Sequence, residues 1–238
     1  MRTKVILRTA SEQNSESRVR DADAYLFDID GTLLFTRDLV HWNALHEAML
    51  EAFGVDTTIE GIQYHGKTDV GILRAATERV GVTKSRFEKD LQAALAVVRR
   101  EVTKNSAQIE AVVCPSIREV LQQLADKGKL LGVASGNLAA VGWMKLQACG
   151  LAQFFQYGCF SDHCEARCEI FRTAVKEARL RVGNGANVCF VGDTPADIAA
   201  ARKVEAGIVA VATGVFSREE LNSHHPDACF GCCSELFS

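Results

Sequence analysis

Ala24-Tyr25-Leu26-Phe27-Asp28-Ile29-Asp30-Gly31-Thr32 is an apolar run that ends in two carboxylates, a glycine and a hydroxyl. A strand buried on both faces reads as a continuous apolar run of this kind. In an open parallel sheet, the carboxyl ends of the strands are where ligands bind. Three further runs, 130–134, 188–191 and 208–212, share the form, and small polar residues and helical spacing follow them. The alternation predicts an α/β fold, a Rossmann-like parallel sheet with helices on both faces.

Between the first and second runs the character changes for about a hundred residues. Residues 41–53 are amphipathic, with Trp42, Leu45, Met49, Leu50 and Phe53 on one stripe, and stop at Gly54. Helical spacing returns over 69–80 and 87–104. The expected organisation is therefore a flexible N-terminal extension (1–23), an α/β core (24–36 and 113–238) and an inserted all-helical cap (37–112). The extension rests on the polar stretch 8–23, which has no period able to bury a face. Beyond the second run, 138–149 reads as a helix stopped by Gly150. Beyond the third, Thr194 caps a helix whose first position is Pro195, where a missing N–H costs nothing. Residues 228–238 begin as an edge strand.

The chemistry collects at the strand ends. Alternation points Asp28 and Asp30 to the same side, and two neighbouring like charges call for positive compensation, for which Mg²⁺ is the usual hard cation on oxygen ligands. Gly31 permits a tight turn, and Thr32 offers a hydroxyl and an N–H to an anion. The third run ends in Gly192-Asp193-Thr194-Pro195-Ala196-Asp197, adding two carboxylates at the same edge, and the second ends in Ser135-Gly136-Asn137. Each piece alone has a bland reading: Asp197 as a first-turn acid favoured by the helix dipole, Ser-Gly-Asn as a turn and cap. Their common position at one sheet edge favours a site.

These ordered segments resemble the motifs of the haloacid dehalogenase-like hydrolases, over residues 25 to about 214. The resemblance implies Asp28 as nucleophile, Asp30 as general acid/base, and Gly31, Thr32, Ser135 and Gly136 around a phosphoryl group. It implies Mg²⁺ bound by Asp28, the Asp30 carbonyl and Asp193, with Asp197 in support, beneath a helical cap closing over a small phosphorylated metabolite such as phosphoglycolate or a sugar phosphate. The family's Lys-Pro stretch is absent. Arg167, in Ser161-Asp-His-Cys-Glu-Ala-Arg-Cys-Glu, takes the place of that basic residue, with Arg172 and Lys176 as alternatives. Arginine offers a bidentate fork to phosphate and is not equivalent to lysine. The expected reaction is phosphomonoester hydrolysis through an aspartyl-phosphate. A phosphomutase of the same fold is the nearest rival, and a phospho-accepting signalling domain the rival from another class. Lys67, in the Gly66-Lys67-Thr68-Asp69 turn, is a candidate for specificity, with a solvated loop lysine as the alternative.

Composition excludes other classes. With 27 basic and 30 acidic residues in 238, a net charge of −3 and three tyrosines beside two tryptophans, the chain has no electrostatic footprint for nucleic acid. No apolar run approaches the roughly 18 residues of a membrane span, and the opening residues lack a secretory core, so a cytoplasmic location is expected. Nine cysteines, an odd number without a secretion signal, point to reduced thiols. Cys229, Cys232 and Cys233 have no second pair spaced to complete a zinc site. The sequence leaves the oligomeric state open.

Overall fold

The computed structural model describes Ser17 and residues 19–237. Among these described residues, eight strands run in chain order as β1 (Ala24–Phe27), β2 (Leu34–Thr36), β3 (Ala111–Val113), β4 (Leu130–Ala134), β5 (Tyr157–Cys159), β6 (Val188–Gly192), β7 (Gly207–Val211) and β8 (Ala228–Phe230). The α-helices are α1 (Val40–Phe53), α2 (Asp69–Arg79), α3 (Lys84–Lys104), α4 (Ile117–Asp126), α5 (Ala139–Ala148), α6 (Arg167–Val182), α7 (Pro195–Lys203) and α8 (Arg218–Ser223).

Six strands form one parallel sheet in the order β5-β4-β1-β6-β7-β8. Strand β1 lies at its centre, with Phe27 in register with both Val133 and Val191, and all four of its residues are fully buried. Alternation divides them: Tyr25 and Phe27 join a core with Leu121 and Leu124 of α4, while Ala24 and Leu26 join another with Ile170 and Phe171 of α6. Phe171 stacks on Phe190 with centroids 3.9 Å apart. This is the Rossmann-like α/β sheet that the apolar runs predict, with β8 at the expected edge.

Strands β2 and β3 pair antiparallel, Leu34 with Val113, and bracket the insertion. Helices α1, α2 and α3 share a core of their own, in which Phe53 and Phe87 stack at 5.3 Å, and Leu138 and Val141 from the sheet side join it. Gly54, at φ 64° and ψ 29°, ends α1 in the left-handed conformation that glycine adopts without strain. Thr68 caps α2 by accepting from the Gly71 N–H. Thr194 and Asp197 form a reciprocal capping box on α7, with Pro195 at its first turn.

Three features depart from the sequence reading. Leu50 is 42% exposed, because it follows Met49 by one residue and so sits about 100° round the helix from Met49, the middle of the buried stripe of Leu45, Met49 and Phe53. Strands β2, β3 and β5 were not anticipated, and β3 crosses the expected cap–core boundary between 112 and 113. Most of the expected extension, 1–23, lies outside the described residues, yet Val19 and Ala22 are buried, and the Tyr25 hydroxyl donates to the carbonyls of Val19 (2.9 Å) and Arg20 (2.8 Å). Packing thus begins before Ala24.

Candidate active site

The backbone of Asp28 extends β1 by one bond, its N–H donating to Val191 O at 2.9 Å, which carries the side chain past the sheet edge. The chain then turns: the N–H groups of Leu33 and Leu34 return to Ile29 O, and Gly31 adopts φ 82°. A Cβ on Gly31 would lie 2.3 Å from Asp193 Oδ2, and one on Gly214 would lie 1.8 Å from the same atom. Glycine at both positions therefore makes the room that the Asp193 carboxylate occupies. On its other oxygen, Asp193 Oδ1 accepts from the Thr32 hydroxyl at 3.0 Å.

Asp28, Asp193 and Asp197 are all buried, and each offers a carboxylate oxygen within 4.8 Å of the others. Burial, reinforced by the charges of Asp28 and Asp197, pushes the Asp193 carboxyl up to about 8. Burial likewise lifts Asp28 to about 6, against the opposing pull of Arg167 and with a further push from Asp197. Three hard oxygen donors gathered out of water, two of them, Asp28 and Asp193, holding their protons against the ordinary tendency to leave, fit a small divalent cation.

The cation the chain itself supplies is Arg167, at the first position of α6. Its Nη2 lies 2.7 Å from Asp28 Oδ2 and 2.6 Å from Asp197 Oδ1, its Nε donates to Asp197 Oδ1 at 2.7 Å, and its side chain is 8% exposed. Burial opposes its charge, but Asp197 and Asp28 together raise its hold on the proton. Arg172 instead pairs with Glu169 on the exposed face of α6, and Lys176 lines a separate surface depression, so neither reaches this cluster. Asp197 is fixed from the other side by the N–H and hydroxyl of Thr194, at 3.1 and 2.6 Å.

Asp30 stands apart from the acidic trio. Its carboxylate is bound by Lys145 Nζ at 2.9 and 2.8 Å and by Asn137 Nδ2 at 2.8 Å. Burial alone would raise it, but Lys145 and Asn137 outweigh that and hold Asp30 below the usual carboxylate range. Ser135 is 1% exposed and accepts from Asn137 Nδ2 at 3.0 Å, while its hydroxyl also bonds Asp28. A Cβ on Gly136 would lie 2.6 Å from Lys67 O, so this glycine lets the 66–68 loop of the insertion close onto the core.

The insertion reaches the site through further polar contacts. Lys145 Nζ is 3.3 Å from His41 Nδ1, His41 Nε2 is 3.2 Å from Asp69 Oδ2, and Asp69 Oδ2 accepts from Leu138 N at 2.7 Å. The Asp69 N–H donates to Gly136 O at 2.8 Å. A cavity of about 330 Å³ opens over these groups, lined by Asp28, Asp30, Ser135 and Arg167 at one end and by Trp42, Tyr64 and Lys67 toward the other. Lys67 is exposed at this rim and makes no side-chain hydrogen bond or ion pair among the described residues. Sequence reasoning missed Lys145, His41 and Asp69. The available signal for Lys145 was its solitude: it is the one charged residue in the apolar helix AAVGWMKLQA.

A Rossmann-like sheet with a buried acidic cluster at its carboxyl edge, beneath an inserted helical unit, defines a class of α/β enzymes. Within it the chain belongs to the haloacid dehalogenase-like hydrolases, whose family model matches residues 25–211. Among solved structures, CbbY from Rhodobacter sphaeroides, in complex with phosphate, is similar with a TM-score of 0.67 and 19% identity, over 91% of this chain and 97% of that one. A predicted phosphatase from Clostridium acetobutylicum aligns with a TM-score of 0.64 and 20% identity, over 90% and 96%. A predicted phosphoglycolate phosphatase from Haemophilus somnus aligns with a TM-score of 0.64 and 17% identity, over 90% and 96%. Comparison with curated proteins gave no match. Among the described residues, no helix is long and apolar enough to cross a membrane.

Proposed function

We propose that the chain is a Mg²⁺-dependent phosphatase that hydrolyses a small phosphorylated metabolite through a phosphoryl group carried on Asp28. The observation that carries this reading is the pairing of Asp28 with Arg167 at 2.7 Å inside a buried carboxylate cluster at the floor of one cavity. Asp28 presents an oxygen for in-line attack on phosphorus, and Arg167 is placed to take up charge on the phosphoryl oxygens. A Mg²⁺ held by Asp28, the Asp30 carbonyl and Asp193, with Asp197 behind them, would neutralise the repulsion between an anionic nucleophile and an anionic ester.

Asp30, as acid, donates to the departing alcohol oxygen; as carboxylate, it takes a proton from the water that cleaves the acyl phosphate. Lys145 and Asn137 orient its carboxylate and favour the deprotonated form, the state that the second role needs. Gly31, Ser135 and Gly136 line the space a phosphoryl group would occupy, the Thr32 hydroxyl and the Gly31 N–H donate instead to Asp193 and to Leu34 O, and the helices of residues 37–112 act as a cap that excludes water. The cell interior is the setting proposed for this activity. Phosphate release measured over a panel of phosphomonoesters, with MgCl₂ and with EDTA, tests the reading: release that requires the metal is expected, and release unaffected by EDTA would overturn the metal assignment.

A further inference from the structure

Resting on that phosphatase reading, we infer that the substrate is a phosphomonoester of an aromatic alcohol, not a glycolate or sugar ester. The geometry of the cavity away from Asp28 points there. Its wall is built from Leu39, Trp42, Leu45, Ile59, Tyr64 and Ile72, with Asp38, His65 and Lys67 beside them, while Asp28, Asp30, Lys145 and Arg167 at the opposite end suit a phosphoryl group. Leu45, Ile59 and Ile72 are nearly inaccessible, so they form a packed apolar floor, whereas Leu39 and Val215, both about 60% exposed, stand at the mouth.

A sugar presents several hydroxyls, and each needs a partner when it leaves water. The acids on this side of the cavity are already engaged. Asp38 accepts from the Val40 N–H at 2.8 Å with one oxygen and from the Glu110 N–H at 2.7 Å with the other. Asp69 holds the Leu138 N–H and faces His41, and His41 in turn faces Lys145. A polyhydroxy ligand would therefore find partners at this end chiefly in Lys67 and in the polar side-chain atoms of Trp42, Tyr64 and His65, and would place its remaining hydroxyls against hydrocarbon.

An aromatic ring meets the opposite situation. Trp42 and Tyr64 stand edge-to-face at 6.1 Å and 90°, Tyr64 packs on His65 at 4.3 Å, and His65 faces Phe216 at 6.5 Å. This row runs from α1 across the 64–65 loop to the segment after β7. Offset and edge-on ring contacts add to burial in such surroundings. The cavity's 330 Å³ accommodates a phosphate and a single ring.

The test compares kcat/KM for benzyl phosphate, cyclohexylmethyl phosphate, ribose 5-phosphate and phosphoglycolate, all esters of primary alcohols, so that binding differences dominate. Benzyl phosphate is expected to exceed both polar esters by about tenfold or more, the scale of a modest apolar pocket preference. Trp42→Ala should narrow that ratio, chiefly through the KM for benzyl phosphate. Calorimetry on the unmodified chain with MgCl₂ gives a second reading: benzylphosphonate should bind at least about tenfold tighter than methylphosphonate. Preference for ribose 5-phosphate or phosphoglycolate, or equal affinity for the two phosphonates, would overturn the aromatic assignment and leave the phosphatase reading standing. No release from any ester would overturn that reading, and the substrate assignment would fall with it.

Discussion

Replacing Arg167 with alanine removes the one protein cation from between Asp28 and Asp197. In the folded protein its guanidinium touches both carboxylates, at 2.7 and 2.6 Å, with side-chain exposures of 8% for Arg167, 8% for Asp28 and 1% for Asp197. Removing one partner of a buried ion pair strands the other charge, at a typical cost of about 3–5 kcal/mol. For a chain of this size that corresponds to roughly 6–20 °C in Tm. Here the stranded groups are Asp28 and Asp197, with Asp193 gathered within 4.8 Å of them, so a divalent cation should restore much of what the guanidinium supplied. Thermal unfolding of Arg167→Ala in EDTA and in MgCl₂, beside the parent chain, reads both effects. The expected pattern is a large loss of Tm in EDTA, substantially recovered by Mg²⁺, with turnover still reduced about a hundredfold or more for want of the phosphoryl-oxygen donor. An Arg167→Ala protein as stable as the parent in EDTA would refute the placement of Arg167 as the counter-ion of this cluster.

The same cluster sets a pH dependence. Asp193 at about 8 and Asp28 at about 6 lie above the ordinary 3.8, so between roughly pH 4 and 8 the folded state binds more protons than the unfolded one. Metal-free stability should fall as pH rises through that window, by up to about 1.4 kcal/mol per pH unit for each group titrating, and saturating Mg²⁺ should flatten the slope. A Tm in EDTA that is constant from pH 5 to 8 would count against this. Lys145→Met removes two of the three bonds that hold Asp30 low, leaving that of Asn137; the alkaline limb of kcat/KM should move to higher pH, and an unmoved profile would show that Lys145 does not set the state of Asp30. Gly214→Ala puts a methyl into the space of Asp193 Oδ2, so the MgCl₂ concentration for half-maximal activity should rise by about 10–100-fold. Unchanged metal dependence there would mean that Asp193 is not a ligand.

Much of the fold was legible because its signal is local. The runs that became β1, β4, β6 and β7 are apolar on both faces, and their polar terminators announce the sheet edge. Gly54, Thr68 and Thr194 act within one helical turn of where they stand. Strand β5 was not legible: Tyr157-Gly158-Cys159 is three residues long, too short for a period, and is a strand only because Gly132, Val133 and Ala134 of β4 pair with it. Burial of Val19 and Ala22 was hidden by the polar residues around them, since it depends on Tyr25 and on the distant C-terminal segment. In the site, Asp28, Asp30, Asp193 and Asp197 could be grouped from strand ends alone. Lys145 could not, because its role depends on how α5 faces the turn after β1, 115 residues away in sequence.

Whether a phosphoryl group rides on Asp28 decides the account. Mass analysis of peptides from enzyme quenched in acid during turnover should find the added group on the segment containing Asp28, and Asp28→Asn should abolish both that adduct and phosphate release. Undiminished release by Asp28→Asn, or an adduct on another side chain, would contradict it.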